Sequence, residues 1–448
     1  MNDPRIAYAS APYDYEQFAS KLLGTCYVSD PWAYTRRRFD NRPLIMGTQL
    51  IELLSQVAAD IGALYDELCQ IVWDNPDLLD SYYQLTPMQK LMWLGSGGAW
   101  HSYARMDAFW CGGDDVKVCE LNADTPSGQS DVIGCSEVFA AELVDGELTE
   151  LYDVNAEYVP RMKQMVRDSW THRMGDRPLR TIGIVYPTDL PEDMALVYLY
   201  KNVFEEMGCE VVLGSPFNLQ RLPGGRIGMF DKEIDVVWRH YKTDWWGERE
   251  VAHTASPELM DVEPLEQTLW LLTAEDAGEV IVLNPFGSMV AQDKRSLSFF
   301  WEHMDRFSEA SKKTIRAHIP ETYRFETIGM DRLLSERSEW VMKSDFGCES
   351  EEVVIGPFCV DQDWHEELYG MYEGRWVAQR FFETQSFEDG RVANLGLYLV
   401  GGAPAGMYVR MSSTDEATGH GSMVATPFGR KAGSESARIV PHRSEETK

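Results

Sequence analysis

The chain has 448 residues and a mass of 51.1 kDa, about three times the length of a typical domain, so a single small module is excluded and two or three packed units are expected. Apolar residues at 44% and aromatic residues at 12%, including 14 Trp, exclude a disordered chain. The 41 Lys and Arg against 72 Asp and Glu leave a net charge of -31, a field that repels nucleic-acid phosphates and anionic lipid.

From Met1 to Tyr15 there is neither a basic nor an apolar leader, and no run of about 20 apolar residues follows anywhere, so a soluble cytoplasmic protein is expected, with no membrane or nucleic-acid partner. The eight Cys are scattered without a CxxC pair, which argues against a zinc ribbon or a disulfide scaffold and for reduced, buried thiols. Pro43 to Trp73 has apolar residues near a 3.6 period (Ile51, Leu54, Val57, Ile61, Leu64, Leu68) and predicts a long core helix. Arg105 to Asn122 changes to a strand period around the turn Cys111-Gly-Gly-Asp-Asp115 and predicts a β-hairpin. A helix begins near Asp131. Thr181–Tyr186, Pro191–Met207 and Glu210–Gly214 read as strand, helix and strand of a βαβ unit, and Ile234–Arg239 and Val280–Asn284 as further buried strands of a parallel layer. A helix is expected over Arg295 to Phe307. Beyond it the strands Trp340–Lys343, Glu352–Gly356, Trp376–Phe382, Leu395–Val400 and Gly406–Arg410 predict a mainly antiparallel region, followed by a loosely held polar tail.

On the hairpin, Glu120 and Asn122 are two residues apart and share a face, Asp107 can oppose them from the partner strand, and Arg105 shares the face of Asp107. Three hard oxygen ligands on one face suit magnesium, and a structural ion-pair cluster fits the spacing as well. The turn Ala123 to Ser130, rich in hydroxyls and free N–H groups, can hold an anion or simply cap the next helix. Lys294 stands at a helix start and Lys343 inside an apolar strand, where an ammonium is costly unless it is paired or reaches a phosphate; snorkelling to solvent is the plainer account. The turn Ser344 to Ser350 sits where a phosphate-covering flap would lie. No Walker loop, GxGxxG or GxSxG occurs, no Cys–His dyad stands out, and the aromatic run Tyr241 to Trp246 reads as cleft wall or packing.

Taken together, Arg105-x-Asp107, Glu120-Leu-Asn-Ala-Asp-Thr-Pro126, Val237-Trp-Arg239, Asn284-Pro285 with Lys294, Val341-Met-Lys343 with Gly347-Cys-Glu349, Ala378-Gln379, and Asn394 to Gly402 with Arg410 resemble the synthetase domain of the glutathionylspermidine synthase family, from about residue 20 to 430. The metal hairpin precedes both lysines, as in that family's circularly permuted order. The resemblance implies an α+β and α/β chain: an ATP-grasp fold with a preceding α/β, pre-ATP-grasp substrate domain. It would divide into a helical segment and hairpin over 1–170, a substrate domain over 171–285, a nucleotide-binding region with lid over 286–430, and a tail over 431–448. It implies an ATP- and magnesium-dependent, ADP-forming carboxylate–amine ligase acting through an acyl phosphate on a small acid, such as a peptide or amino acid, and an amine. Asp107, Glu120 and Asn122 would hold magnesium. Lys294, Lys343 and Gly347 would face the ATP phosphates, and Gln379 would lie near the adenine. Arg105 and Arg410 would meet the transferring phosphoryl group, and Thr125 and Ser127 the acid substrate. Two departures stand out: the hairpin begins too early for the amidase domain of bifunctional members, so product hydrolysis is not expected, and the flap is acidic (Glu349, Glu351, Glu352). A non-catalytic nucleotide- or polyamine-binding protein and a small-molecule kinase are the alternatives.

Overall fold

The computed structural model describes residues 6–33, 36–188, 190–247, 264–347, 352–371, 375–387, 390–413 and 422–431. Glu349 and Glu351 of the expected flap, and nearly all of the 431–448 tail, lie outside the described residues.

The expected long helix is present as α2 (Thr48–Asp74), behind a shorter α1 (Tyr15–Gly24). It starts later than its periodicity suggests. Leu44–Met46 is a strand, fully buried between Ile6–Tyr8 and Pro427–Arg430, and pairing with these segments overrides local helical preference. Leu151–Asp153 completes this sheet, in the order Ile6–Tyr8, Leu44–Met46, Pro427–Arg430, Leu151–Asp153.

The hairpin follows as β1 (Tyr103–Gly112) and β2 (Asp115–Asn122), then α3 (Gln129–Val144) and α4 (Tyr158–Met174). The parallel layer is built from β3 (Thr181–Val185), α5 (Met194–Glu206), β4 (Glu210–Gly214), β5 (Val236–Arg239), α6 (Leu265–Asp276) and β6 (Ile281–Leu283), with strand order β6-β5-β3-β4 and every pairing parallel. The strands β3, β5 and β6 are buried along their whole length, in keeping with their Val- and Ile-rich sequences.

After α7 (Arg295–Glu302) come β7 (Thr322–Arg324), β8 (Trp340–Ser344), β9 (Val353–Ile355) and β10 (Trp376–Arg380), an antiparallel sheet in the order β7-β10-β8-β9. It has a small core of its own around Trp340, Met342, Trp364 and Leu368. The expected β region also contains helices, Glu309–His318 and Asp361–Gly370, the first capped by Ser308 accepting from Ser311 N–H. Finally β11 (Arg391–Val400), β12 (Ala403–Ser413) and β13 (Met423–Ala425) extend the hairpin into a five-stranded sheet of order β13-β12-β11-β1-β2. One face of that sheet, carrying Met106, Ala108, Leu395, Leu397 and Val409, packs into the core shared with the apolar stripe of α2. Its other face carries the polar side chains. Among the described residues, no helix is long and apolar enough to cross a membrane.

In the parallel layer, Glu275 of α6 buries its carboxyl beside β6, where one oxygen accepts from Val282 N–H at 2.9 Å and the other has no partner. Burial pushes this carboxyl up to about 7, against weaker downward pulls from the Val282 bond and from Arg173 and Arg239. The folded protein holds this proton more tightly than the unfolded chain, so the group's contribution to stability is complete below its ordinary value of 4.5 and is lost as pH rises through about 7. Glu275→Gln, which keeps the Val282 bond, is expected to shrink the fall in thermal midpoint between about pH 5 and pH 8 by a few degrees. Thermal melts of both proteins at the two pH values check this, and an unchanged fall would contradict it.

Candidate active site

The polar face of the five-stranded sheet follows from two-residue alternation on paired strands. In the hairpin Arg105 stands opposite Asn122 and Asp107 opposite Glu120, with a register shift just after Asp107. On β11, Gly396 stands opposite Asp107 and Tyr398 opposite Arg105; on β12, Tyr408 is opposite Gly396 and Arg410 opposite Asn394. The expected hairpin face is therefore present, with Asp107 directly across from Glu120. Gly396 makes room for Arg105: a Cβ at that position would come within 2.8 Å of Arg105 Cδ.

Lying across Gly396, Arg105 donates from Nε to Asp107 Oδ1 at 2.8 Å, from Nη2 to Asp107 Oδ2 at 3.2 Å and from Nη1 to the Ser127 carbonyl at 2.9 Å. Arg410 donates to Asp107 Oδ2 at 2.8 Å from the other side. Burial alone would raise the Asp107 carboxyl, but the Arg105 and Arg410 guanidinium groups outweigh it and hold the group below the usual carboxylate range. Asp107 is thus an anion shared by two arginines.

The lysines reach the same polar cluster from other elements. Lys294, just before α7, donates to the Gly347 carbonyl at 2.6 Å and places Nζ 3.6 Å from Glu120 Oε1. Lys343 of β8 donates to Gln379 Oε1 at 2.8 Å and to the Cys119 carbonyl at 3.1 Å, and Gln379 Nε2 in turn donates to Thr322 Oγ1 at 3.3 Å. Both lysines are buried, so neither snorkels to solvent. The bond from Lys343 to Cys119 ties the β7-β10-β8-β9 sheet to the hairpin beside Glu120.

Thr125 is half-buried and Ser127 exposed, in the turn leaving β2. The carbonyl of Ser127 accepts from Arg105 and from the Tyr398 hydroxyl at 3.1 Å, which fixes the turn against the charged face. Gly128 then takes φ +93°, and a Cβ there would come within 2.9 Å of the Tyr408 ring.

Further side chains hold this arrangement, and the sequence reading gave them no role. Asp124 is buried and accepts from Thr243 N–H at 2.7 Å, Thr243 Oγ1 at 2.6 Å and Ser288 Oγ at 3.0 Å, while pairing with the fully buried Arg239. Asn284 accepts at Oδ1 from Ser102 and Tyr103 N–H and donates from Nδ2 to the carbonyls of Tyr103, Ala123 and Asp124. Arg239 and Asn284, quoted above only as motif members, are thus the scaffold of the turn. Tyr398 and Tyr408 stand on the polar face with Arg105 and Arg410, and the same alternation arithmetic that paired Glu120 with Asn122 points to Tyr408 two residues before Arg410. Arg38 pairs both nitrogen-facing oxygens of Asp131, at 2.8 and 3.0 Å, under the Tyr408 hydroxyl.

Among the described residues no three His, Cys, Asp or Glu side chains gather as a metal site. A cation on this face would be held by two carboxylates and an amide. The donor set suits a hard ion, since Asp107, Glu120 and the Asn122 amide oxygen are hard oxygen ligands on one face, with Asp107 directly across from Glu120.

A family model described as glutathionylspermidine synthase preATP-grasp matches residues 23–424. Among solved structures, the chain is similar to a glutathione synthetase-like effector from Globodera pallida in its apo form, at a TM-score of 0.58 and 11% identity over 93% of this chain and 98% of that one. It also resembles a candidate gamma-glutamylcysteine synthetase from Methylobacillus flagellatus at a TM-score of 0.45 and 13% identity, over 81% of this chain and 88% of that one. No curated protein matches.

Arg239→Met would leave Asp124 buried and unpaired, at an expected cost of about 3–5 kcal/mol in urea unfolding. Adding Asp124→Asn should recover most of the loss. A single variant as stable as the parent would show that the pair does not hold the turn.

Proposed function

The chain belongs to the glutathionylspermidine synthase preATP-grasp family and has an ATP-grasp fold with an α/β pre-ATP-grasp layer, and we propose that it is an ATP- and magnesium-dependent ligase joining a small-molecule acid to an amine, with ADP and phosphate as by-products. The observation that carries this reading is the convergence of Arg105, Arg410, Lys294 and Lys343 in one cluster with Asp107 and Glu120. Four cations against two carboxylates leave a positive excess in a chain whose net charge is -31. Such a concentration suits a polyphosphate and costs much without a ligand to balance it.

In this proposal Lys294 and Lys343 bind the triphosphate, exchanging the Gly347 carbonyl and the Gln379 amide for phosphate oxygens. Asp107, Glu120 and Asn122 would hold magnesium, which when bound supplies charge neutralisation at the phosphate oxygens. The acid substrate lies against the Thr125 to Gly128 turn. One of its carboxylate oxygens forms a bond to the γ-phosphorus as the bond from that phosphorus to the β–γ bridging oxygen breaks, giving an acyl phosphate and ADP. Arg105 and Arg410 stabilise the charge spread over the transferring group, and Asp107 fixes both guanidinium planes at 2.8 Å contacts. The free amine then forms a bond to the acyl carbon, phosphate leaves, and the nitrogen gives up a proton. The antiparallel sheet bearing Lys343 and Gln379 has its own core, which suits a unit able to close over the nucleotide and exclude water from the acyl phosphate.

The test is release of ADP and phosphate with ATP and magnesium, across a matrix of small peptides, amino acids and amines that includes glutathione and spermidine, read together with mass spectrometry. Turnover that needs both an acid and an amine, with a product lighter than their sum by one water, is expected. Phosphorylation of one substrate without an amine requirement would identify a kinase, and ATP binding without turnover on any pair would favour a binding protein. Asp107→Ala and Glu120→Ala are each expected to lower turnover by about a hundredfold or more while leaving the fold intact, as measured by circular dichroism. Full activity in both would sink the site assignment.

A further inference from the structure

Behind the two lysines lies a second charged cluster, which the steps above do not use. Asp293 and Asp345, both buried, occupy the approach to α7 and the exit of β8, one residue before Lys294 and two after Lys343. Arg375, at the entry to β10, sits between them. Its Nη2 donates to Asp293 Oδ2 at 3.0 Å and to the Tyr83 carbonyl at 2.7 Å, its Nε meets Asp345 Oδ2, and its guanidinium lies 5.3 Å from the centre of the Phe346 ring. Arg295 closes the other side: its backbone N–H donates to Asp293 Oδ1 at 2.8 Å and its Nε lies 3.5 Å from Asp345 Oδ2. The contacts of Asp345 Oδ2 with the two arginines are ionic, without an aligned hydrogen bond. The backbone repeats the connection, since Lys294 N–H donates to the Asp345 carbonyl at 2.9 Å and Asp345 N–H to the Arg375 carbonyl at 3.1 Å.

Two desolvated carboxylates on separate elements repel each other unless a cation stands between them. Burial and the neighbouring Asp345 charge raise the Asp293 carboxyl above its usual range in spite of Arg375 and Arg295, so the pull of the arginines is opposed. A planar guanidinium can hold two carboxylates in a fixed mutual orientation, whereas an ammonium is a point charge that sets no orientation. The elements joined in this way are the two that bear the lysines.

We infer that Arg375 is a positioning residue: by bridging Asp293 and Asp345 it fixes the separation of Lys294 from Lys343, and with it the grip on a nucleotide's phosphates. The last clause rests on the nucleotide reading given above, whereas the bridge itself does not.

Two variants of the full chain separate positioning from simple charge neutralisation. Arg375→Lys keeps the cation and loses the fork. Arg375→Met combined with Asp293→Asn removes the cation together with one of the two carboxyl groups it bridges, so that Asp293 is not left buried without its partner. For each, ATP affinity is measured by titration with a fluorescent ATP analogue, stability by thermal melting, and local opening by hydrogen exchange at Lys294–Leu297 and Lys343–Gly347. The expected result is a thermal midpoint close to that of the parent, with ATP bound about tenfold or more weakly and faster exchange confined to the two lysine segments. ATP affinity within about twofold of the parent in both variants, at equal stability, would overturn the positioning role. If the parent itself bound no ATP, the nucleotide reading would fall, and the exchange data would then decide the bridge alone: unchanged exchange in both variants would overturn it.

Discussion

The charged site depends on a buried ion pair that lies outside it. Asp124 is two residues past Asn122 and Arg239 ends the central β5 strand of the parallel layer; their contact, with Thr243, Ser288 and Asn284 around it, is where the hairpin sheet and the parallel layer are joined. A pair of this kind adds little net stability when intact, because both ions have given up water, yet it is costly to break. Its contribution is to geometry. It fixes where β2 ends, so the Thr125 to Gly128 turn can leave the sheet only along a path that brings the Ser127 carbonyl under Arg105 and Tyr398. The polar face and the turn beside it are therefore set by contacts on the turn's far side.

The site itself shows how an acidic chain can concentrate positive charge. Each of the four cations is held by chain oxygens: Arg105 and Arg410 by Asp107, Lys294 by Glu120 and a carbonyl, Lys343 by an amide and a carbonyl. Neutral carbonyl and amide partners hold a lysine in place without cancelling its charge, as they do for Lys343. Lys294 donates to a carbonyl at 2.6 Å and has the Glu120 carboxylate farther off at 3.6 Å, whereas Asp107 meets both arginines at 2.8 Å. The arginines are oriented rigidly by a shared anion, and the lysines are less fully neutralised.

Much of the site was legible in the sequence because its parts obey short-range rules. Arg105, Asp107, Glu120 and Asn122 are related by the two-residue period of a hairpin, and the turn at Gly112-Gly113 sets which strand positions oppose each other. Lys343 stood out as a charge in an apolar strand. The parallel layer was equally readable from the Val- and Ile-rich strands that flank a helix. What local pattern could not convey were contacts between distant segments: Asn284 binds the Ala123 carbonyl 161 residues away, and Arg375 binds Asp293 82 residues away, with no periodicity to link them. The helix start at Thr48 differs from the periodicity for a related reason, since Leu44–Met46 is a strand only through its partners Ile6–Tyr8 and Pro427–Arg430. The helices Glu309–His318 and Asp361–Gly370 are short and polar, so their apolar stripes are too thin to stand out between strands.

The strand Pro427–Arg430 has a consequence for how the protein is made. It lies in the interior of its sheet, parallel to Leu44–Met46 on one side and antiparallel to Leu151–Asp153 on the other. A nascent chain emerging from the ribosome therefore carries Leu44–Met46 with one side unpaired until Pro427–Arg430 has been synthesised. Over that interval a buried-type strand is exposed, a window in which pairing with another chain competes with the correct partner. The sheet holds two of the earliest strands among the described residues and is completed only by the last of them.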